Sequence, residues 1–293
     1  QTPFQVKDAR FIGLDLEKWL AEDLIDLLMP GGIRASVMTY SFSESVKLGH
    51  KYNVPVYPCI GWGFWGNWAF LDMGAKKHRT AGPWFKTLYG GHSEDRGKPS
   101  YIVEMNSWEF APALWRGAAM NLFNAGADGI YIFNPALWLE AEAKHNIWRQ
   151  IGDPATMANK DRIYGIDRFG DYSSLDKLEE LELSQGEPVS LYFEVGEDVK
   201  SGDLQELRFR IHLWDFSETD KIELKLNDVL LDNLLCESRS HPPLTGQWLY
   251  CKLKPGQVRR GRNMVKISVK VRGKSSNTPI VLDAVQLHVH YKH

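Results

Sequence analysis

The chain has 293 residues, of which 43% are hydrophobic and 25% are charged, a composition typical of a globular protein with about two ordinary domains. Its 35 basic and 37 acidic side chains leave a net charge of -2, which gives no electrostatic reason to expect a nucleic acid or an anionic membrane as partner. A substrate is therefore expected to be neutral or nearly so. No run of about 18 apolar residues occurs, so no membrane-spanning segment is predicted.

The three cysteines, Cys59, Cys236 and Cys251, have no CxxC spacing. Neither a metal site nor a disulfide framework is therefore predicted, and no cofactor is expected. Pairing of Cys236 with Cys251 in an oxidising compartment stays open. The chain starts at Gln1 without the pattern of a signal peptide, from which we expect that an upstream part was removed or was never part of this chain, and localisation cannot be deduced from the residues.

Two units of helix and strand open the chain. Residues 13–20 predict a short helix with Asp15 as its N-cap, and the apolar run of residues 24–32 predicts a buried parallel strand. Helical spacing returns at residues 43–52, and a second strand is predicted over residues 54–62. Its two prolines weaken that second strand because they cannot donate hydrogen bonds to a sheet.

A third unit follows a long irregular stretch. Residues 108–125 predict a helix ended by Gly126, and residues 128–135 predict the third strand; a last helix is predicted over residues 140–152. Continuous apolar strands separated by helices are typical of parallel βαβ units. The first part of the chain is therefore predicted to be α/β with a parallel sheet.

This part resembles the C-terminal strands of a bacterial family of glycoside-hydrolase-like barrels related to glycoside hydrolase family 10. The resemblance rests on GLDLEKWL with DLIDLLMP, on VPVYPCI, and above all on residues 116–134, RGAAMN with AGADGIYIFN. It implies a (β/α)8 TIM barrel whose sixth, seventh and eighth strands lie here, and a secreted or periplasmic protein. The match covers about half of the chain.

A barrel of this kind needs about eight strands, and three would leave open edges. We therefore expect a missing N-terminal barrel segment of roughly 150 residues or more, lost from the chain or supplied by another polypeptide, with the first alternative favoured. The chain alone is accordingly expected to be inactive.

Candidate substrate-binding residues follow the second and third strands, where a TIM barrel binds its substrate. Tryptophan rings stack on sugar rings and asparagine side chains bond to sugar hydroxyls, which indicates sugar contact by Trp62, Trp65, Asn67, Trp68, Asn134 and Trp138. The alternative for these tryptophans is core packing beneath a long loop. For Trp84, Trp108, Trp115 and Trp148 we favour core or helix packing.

Glycoside hydrolysis needs two carboxyl groups. In the resembled family the nucleophile is a Glu at the end of the seventh strand, but residues 58–62 contain none, which puts a standard retaining mechanism in doubt. Glu104 is the remaining weak catalytic candidate, with an ordinary surface or ion-paired role favoured. His92, Glu94 and Asp95 are interpreted as a solvated turn rather than metal ligands, and Asp128 as structural.

From residue 187 the hydrophobic period becomes two, which predicts at least six antiparallel strands in a jelly-roll-like β-sandwich. Its basic alternate positions, including Arg208, Arg210 and His212, are interpreted as the solvated side. The predicted domains are residues 1–158, the C-terminal barrel part; residues 159–186, a linker with a strand near 162–166; and residues 187–293, the sandwich. For the sandwich a barrel-supporting role is favoured over glycan binding.

The sequence as a whole predicts a glycoside hydrolase-like protein that acts on or binds a neutral poly- or oligosaccharide. Two alternatives stay open: a non-catalytic carbohydrate-binding protein on a degenerate barrel, and a structural fragment with no activity alone. Fold by itself does not choose between them, because barrels carry many chemistries.

Overall fold

The computed structural model describes residues 6–31, 42–60, 110–132, 141–167, 181–199, 203–236, 246–273 and 279–292. Its described helices are α1 (Val6–Phe11), α2 (Leu16–Ala21), α3 (Ser43–Lys51), α4 (Phe110–Asn124) and α5 (Ala141–Ile151). The described strands are β1 (Cys59–Ile60), β2 (Tyr131–Ile132), β3 (Arg162–Asp167), β4 (Leu181–Leu183), β5 (Val189–Val195), β6 (Leu204–Trp214), β7 (Lys221–Leu226), β8 (Val229–Leu230), β9 (Leu235–Cys236), β10 (Gly246–Lys252), β11 (Gly261–Val271) and β12 (Ile280–Tyr291).

The first part of the chain is α/β with parallel pairing, as the sequence predicts. Leu28 forms a parallel bridge with Val56, and β1 pairs in parallel with β2. Three chain segments therefore run side by side in one direction, with α3 and α4 between them. The first segment is shorter than predicted, because Leu24 is 65% exposed and only the stretch around Leu28 bonds to its neighbour.

Helix ends follow the predicted local chemistry. The Asp15 carboxylate accepts a hydrogen bond from Lys18 N at 3.1 Å and caps α2. Gly126 stops α4 with a φ of 94°, a left-handed conformation that favours glycine. After α5, the Asp153 side chain accepts from Ala155 N at 2.8 Å and opens a 3-10 turn, Pro154–Met157.

The second part is an antiparallel sandwich, and the six strands predicted from the period of two are all present. Strands β3, β12, β6, β10 and β9 form the larger sheet in that order, with β4 also paired to β12. Strands β5, β11, β7 and β8 form the smaller sheet. Phe193 and Phe209 face each other from the two sheets with ring centres 6.2 Å apart, and the two inner faces share one buried core.

A two-residue turn at Asn227-Asp228 joins β7 to β8. Both residues have positive φ, 49° and 67°, and their flanking residues Leu226 and Val229 are register partners. A two-residue loop of this conformation matches the twist of the strands that it joins. Asn227 also donates to Gln257 O at 2.9 Å, so the turn is tied to the 3-10 turn that precedes β11.

The segment predicted to connect the two parts contributes strands of its own. β3 lies where a strand was predicted near residues 162–166, and it pairs with β12. β4, farther along the same segment, pairs with the start of β12. Part of the predicted connecting segment therefore belongs to the larger sheet.

The interpretation of the basic positions of β6 as a solvated side is wrong for Arg210 and His212, although the Arg208 side chain is 33% exposed. Arg210 and His212 are buried, because the outer face of the larger sheet packs against the first part of the molecule. Ile163 and Trp248, which lie on that sheet, belong to the same core cluster as Trp115 of α4. On the smaller sheet the prediction is right for Lys270, which is exposed, while Lys266 and Arg272 are half-buried.

The described residues thus form a β-rich molecule with a smaller α/β part. Three parallel segments do not make a closed barrel, so the TIM barrel stays a prediction, as does the jelly-roll connection of the sandwich. No helix in the described ranges is long and apolar enough to cross a membrane.

Candidate functional site

The three parallel segments end at one edge of their sheet. Cys59 N donates to Pro30 O at 2.8 Å, and Tyr131 N donates to Pro58 O at 3.0 Å. Ile60 is the register partner of Ile132, and neighbouring strands lie about 4.8 Å apart. The chain therefore leaves the second and third segments at adjacent points. We refer to this side of the parallel strands as the carboxyl edge.

The carboxyl edge is where parallel α/β proteins place their ligands. The predicted site residues come after it in the sequence: Trp62, Trp65, Asn67 and Trp68 follow Ile60, and Asn134 and Trp138 follow Ile132. All of these residues, and Glu104, lie outside the described residues, so their contacts stay predictions. The structure describes the two strand ends from which they follow.

The opposite edge of the sheet is held by Asp128. Its Oδ2 accepts from Val56 N at 2.8 Å and lies 2.8 Å from His50 Nε2. Partial burial raises the pKa of the Asp128 carboxyl, but the hydrogen bonds from His50 and Val56 outweigh it and lower the pKa overall. Asp128 therefore fixes the start of the third segment, and its predicted structural role is confirmed.

Two of the four tryptophans assigned to packing are described, and both are in the core. Trp115 of α4 is buried, and Trp148 of α5 packs against the same cluster. Trp84 and Trp108 lie outside the described residues. Core packing is therefore confirmed for the two tryptophans on helices, where a hydrophobic face faces the sheet.

A buried polar group on the outer face of the larger sheet was missed in the sequence. This group, the Arg210 cluster, consists of Arg210, His212, Trp248, Gln286 and His288. The Arg210 guanidinium lies over the Trp248 ring, 4.3 Å from its centre, and the rings of His212 and Trp248 are 5.0 Å apart. His288 Nε2 lies 2.7 Å from Gln286 Oε1 and 3.4 Å from Arg210 Nη1.

Burial lowers the pKa of His288 well below its usual value, and the positive charge of Arg210 lowers it further. His288 is therefore neutral near pH 7, which spares the cluster a second buried positive charge beside Arg210. The sequence signal was ambiguous, because alternating polar residues look alike whether their face meets water or another layer of protein.

A second polar group ties β3 to β12 and to the residues after β5. Glu197 accepts from Tyr164 Oη at 2.7 Å and from Tyr291 Oη at 2.5 Å, and it also pairs with Arg162. Burial and the Glu197 charge raise the pKa of Tyr164 well above its usual value. Because the three other side chains are all bonded to Glu197, we interpret the group as structural.

Within the described part of the chain, no three His, Cys, Asp or Glu side chains are placed to bind a metal. No disulfide joins Cys236 to Cys251. Cys236 is exposed and Cys251 is buried, and the pairing left open between them is absent. Burial raises the pKa of Cys251 to about 11, so that thiol has little nucleophilic thiolate near neutral pH.

No known protein family matches this sequence, and no curated protein matches it. Part of the chain is similar to a β-porphyranase of glycoside hydrolase family 86 from the human gut bacterium Bacteroides plebeius, at 16% identity and a TM-score of 0.28, over 46% of this chain and 22% of that chain.

Two further solved structures show the same weak similarity. Latent PorU from Porphyromonas gingivalis has 10% identity and a TM-score of 0.26, over 45% of this chain and 13% of that chain. A cycloisomaltooligosaccharide glucanotransferase from Paenibacillus has 12% identity and a TM-score of 0.22, over 43% and 16%. The chain spans 22% or less of the length of these three proteins. These scores indicate neither a shared fold nor a shared function, and no relation to family 10 is shown.

Proposed function

We propose that this protein binds a neutral poly- or oligosaccharide at the carboxyl edge of its parallel strands. The observation that carries the proposal is the register of β1 and β2. Since Ile60 and Ile132 are partners, the segments that bring Trp62 and Asn134 start about one strand spacing apart. An aromatic ring at this edge can stack on a pyranose ring, and a side-chain amide beside it can hydrogen-bond to the sugar hydroxyls.

For catalysis, we propose glycoside hydrolysis with Glu104 as the candidate acid or base in this chain. A second carboxylate would have to come from further strands of the barrel. The rival candidate is a non-catalytic carbohydrate-binding protein. It is favoured by one specific feature, the absence of any carboxylate in residues 58–62 of the sequence, where the resembled family has its nucleophile.

We further propose that additional βα units complete the parallel sheet. Phe11 and Leu24 are 75% and 65% exposed, and Ile12 and Leu27 are exposed too. Leu24 and Leu27 lie in the first parallel segment, at the open side of the sheet, where further strands and helices of a barrel would cover them. On this proposal the missing N-terminal barrel segment is the partner of the first parallel segment.

The experiment for binding is a glycan array followed by calorimetry on the best neutral oligosaccharide. Trp62→Ala and Trp65→Ala should each weaken affinity by about tenfold or more, the usual order of magnitude for a lost central aromatic contact. Tyr192→Ala is the matched control, since Tyr192 is an exposed aromatic residue of the smaller sheet. If Tyr192→Ala weakens binding and the tryptophan variants do not, the carboxyl edge is the wrong site.

Enzyme and binder are separated by assaying the chain together with its upstream barrel segment on aryl glycosides. The hydrolase proposal expects turnover that Glu104→Gln reduces by at least about a hundredfold. Tight glycan binding without turnover supports the non-catalytic alternative. A folded protein that binds no glycan supports the alternative of a structural fragment with no activity alone.

A further inference from the structure

Helix α4 lies directly on the sandwich at two glycines. A Cβ on Gly117 would clash with the carbonyl oxygen of Ile163 in β3, and a Cβ on Gly196 would clash with the backbone of Met120. Contacts this close exist only where one partner has no side chain. The helix and the sandwich are therefore fitted backbone to backbone, at opposite ends of one turn of α4.

Three side-chain hydrogen bonds hold α4 against the sandwich. Arg116 Nη1 donates to Asp161 O at 2.7 Å, and Asn121 Nδ2 donates to Glu194 O at 3.1 Å. At the end of the helix, Arg260 Nε donates to Asn124 Oδ1 at 2.6 Å. The bonds are spread along the helix, so they fix its direction as well as its position.

The other face of α4 supports the parallel strands. Ala118 and Leu122 are buried in one core with Leu28 and Val56. The chain then turns back into the third segment, where Ala127 N donates to Leu122 O at 3.1 Å. One rigid element thus connects the sandwich on one side with the parallel sheet on the other.

We propose that the sandwich positions the carboxyl edge of the parallel strands through α4, with Gly117 as the positioning residue. The sandwich is then a support for the candidate site and not a separately hinged module. The mechanical part of this proposal stands on the contacts of α4 alone. Its consequence for ligand affinity rests on the proposed function.

The test is hydrogen exchange of the full chain carrying Gly117→Ala. The added methyl group must push α4 away from Ile163, so the Tyr131 amide, bonded to Pro58 O, should exchange at least about tenfold faster. Gly256→Ala is the matched control, because nothing lies within 4 Å of that position. Its exchange should equal that of the unchanged protein.

A second variant separates positioning from a general loss of stability. Asp220→Ala removes the bonds that a buried carboxylate accepts from Gly273 N and Arg272 just after β11, at the opposite end of that strand from the Arg260 bond to α4. It should speed exchange in the smaller sheet and leave the Tyr131 amide unchanged. If Gly117→Ala does not fold, Asn121→Ala replaces it as a milder change in the contact between α4 and the sandwich. Asn121→Ala should also speed exchange of the Tyr131 amide.

The proposal is overturned if Gly117→Ala and Asn121→Ala speed exchange only within the sandwich, or if Asp220→Ala affects the Tyr131 amide as strongly as they do. Glycan affinity is read separately. If the protein binds no glycan, the proposed function is refuted. The exchange result still tests whether α4 couples the sandwich to the parallel strands. If the protein binds a glycan, Gly117→Ala should lower the affinity for that glycan by at least about fivefold.

Discussion

The Arg210 guanidinium stacks on the Trp248 indole, 4.3 Å from the ring centre, in a place closed to water. The same kind of contact occurs between Arg262 and Tyr192, at 3.9 Å, on the open face of the smaller sheet. One chain therefore contains a buried and an exposed version of one interaction. Comparing the two contacts therefore tests how burial changes the contribution of a cation–π contact to stability within one protein.

Arg210→Ala is expected to lower the free energy of unfolding by about 2–4 kcal/mol, because a desolvated cation–π contact is worth about 2 kcal/mol and the remaining polar groups of the cluster lose a partner. Arg262→Ala should cost about 0.5–1 kcal/mol or less. Urea unfolding of both variants measures the difference. Equal losses would contradict the effect of burial.

His288 should make the stability depend on pH below neutrality. Its pKa is lowered in the folded protein from the usual 6.5, so the unfolded chain binds a proton there and the folded protein does not. The contribution of His288 is complete above about pH 6.5 and is lost as the pH falls toward the folded value, by up to about 1.4 kcal/mol per pH unit.

His288→Gln keeps a polar side chain but removes the imidazole that binds a proton in the unfolded chain. Urea unfolding between pH 7.5 and pH 5 should therefore give a flatter dependence for the variant than for the unchanged protein. A variant curve parallel to that of the unchanged protein would show that His288 does not titrate differently in the two states.

Asp220 should be one of the more sensitive acidic positions of the sandwich. Its buried carboxylate accepts from Ser217 N at 2.7 Å and Gly273 N at 2.7 Å, and Arg272 Nη1 donates to it at 2.6 Å. Asp220→Ala leaves these donors without their acceptor and should cost about 3 kcal/mol of unfolding free energy. Ser217→Ala keeps the carboxylate and should cost about 1 kcal/mol, measured by the same urea unfolding.

Burial raises the pKa of the Asp220 carboxyl, but its hydrogen bonds and Arg272 lower it overall, below 3.8. Its stabilising contribution is therefore present above about pH 3.8 and is lost as the pH falls through the lower folded value. The acid transition of Asp220→Ala should be less steep than that of the unchanged protein. An unchanged transition would show that another carboxylate dominates it.

The thiols should react in a way that separates exposed from buried cysteines. Cys236 is exposed, whereas Cys59 and Cys251 are buried. Titration with Ellman's reagent should detect one rapidly reacting thiol in the folded protein and all three after denaturation. Only one reactive thiol in the denatured protein would indicate that Cys236 and Cys251 form a disulfide after all.

The regular parts of the molecule could be predicted well from the residues. All six strands predicted for the sandwich are present, and α3 and α4 begin within two residues of their predicted starts at residues 43 and 108. These elements have long amphipathic or continuous apolar patterns, and local caps such as Asp15 and Gly126 define their ends. The candidate site could be placed only at the level of two strand ends, because Ile60 and Ile132 are described while the residues predicted to bind sugar are not.

By itself, the sequence determined which of the longer segments form strands and helices, because hydrophobic period, capping residues and turn residues act within a few positions along the chain. Only the tertiary structure decided which layer each face meets. Arg210 and Lys270 both occupy alternate polar positions of amphipathic strands, yet one is buried against the first part of the molecule and the other is exposed. The close fit of Gly117 on Ile163 is also tertiary, since it joins residues from different elements whose meeting depends on how whole layers pack.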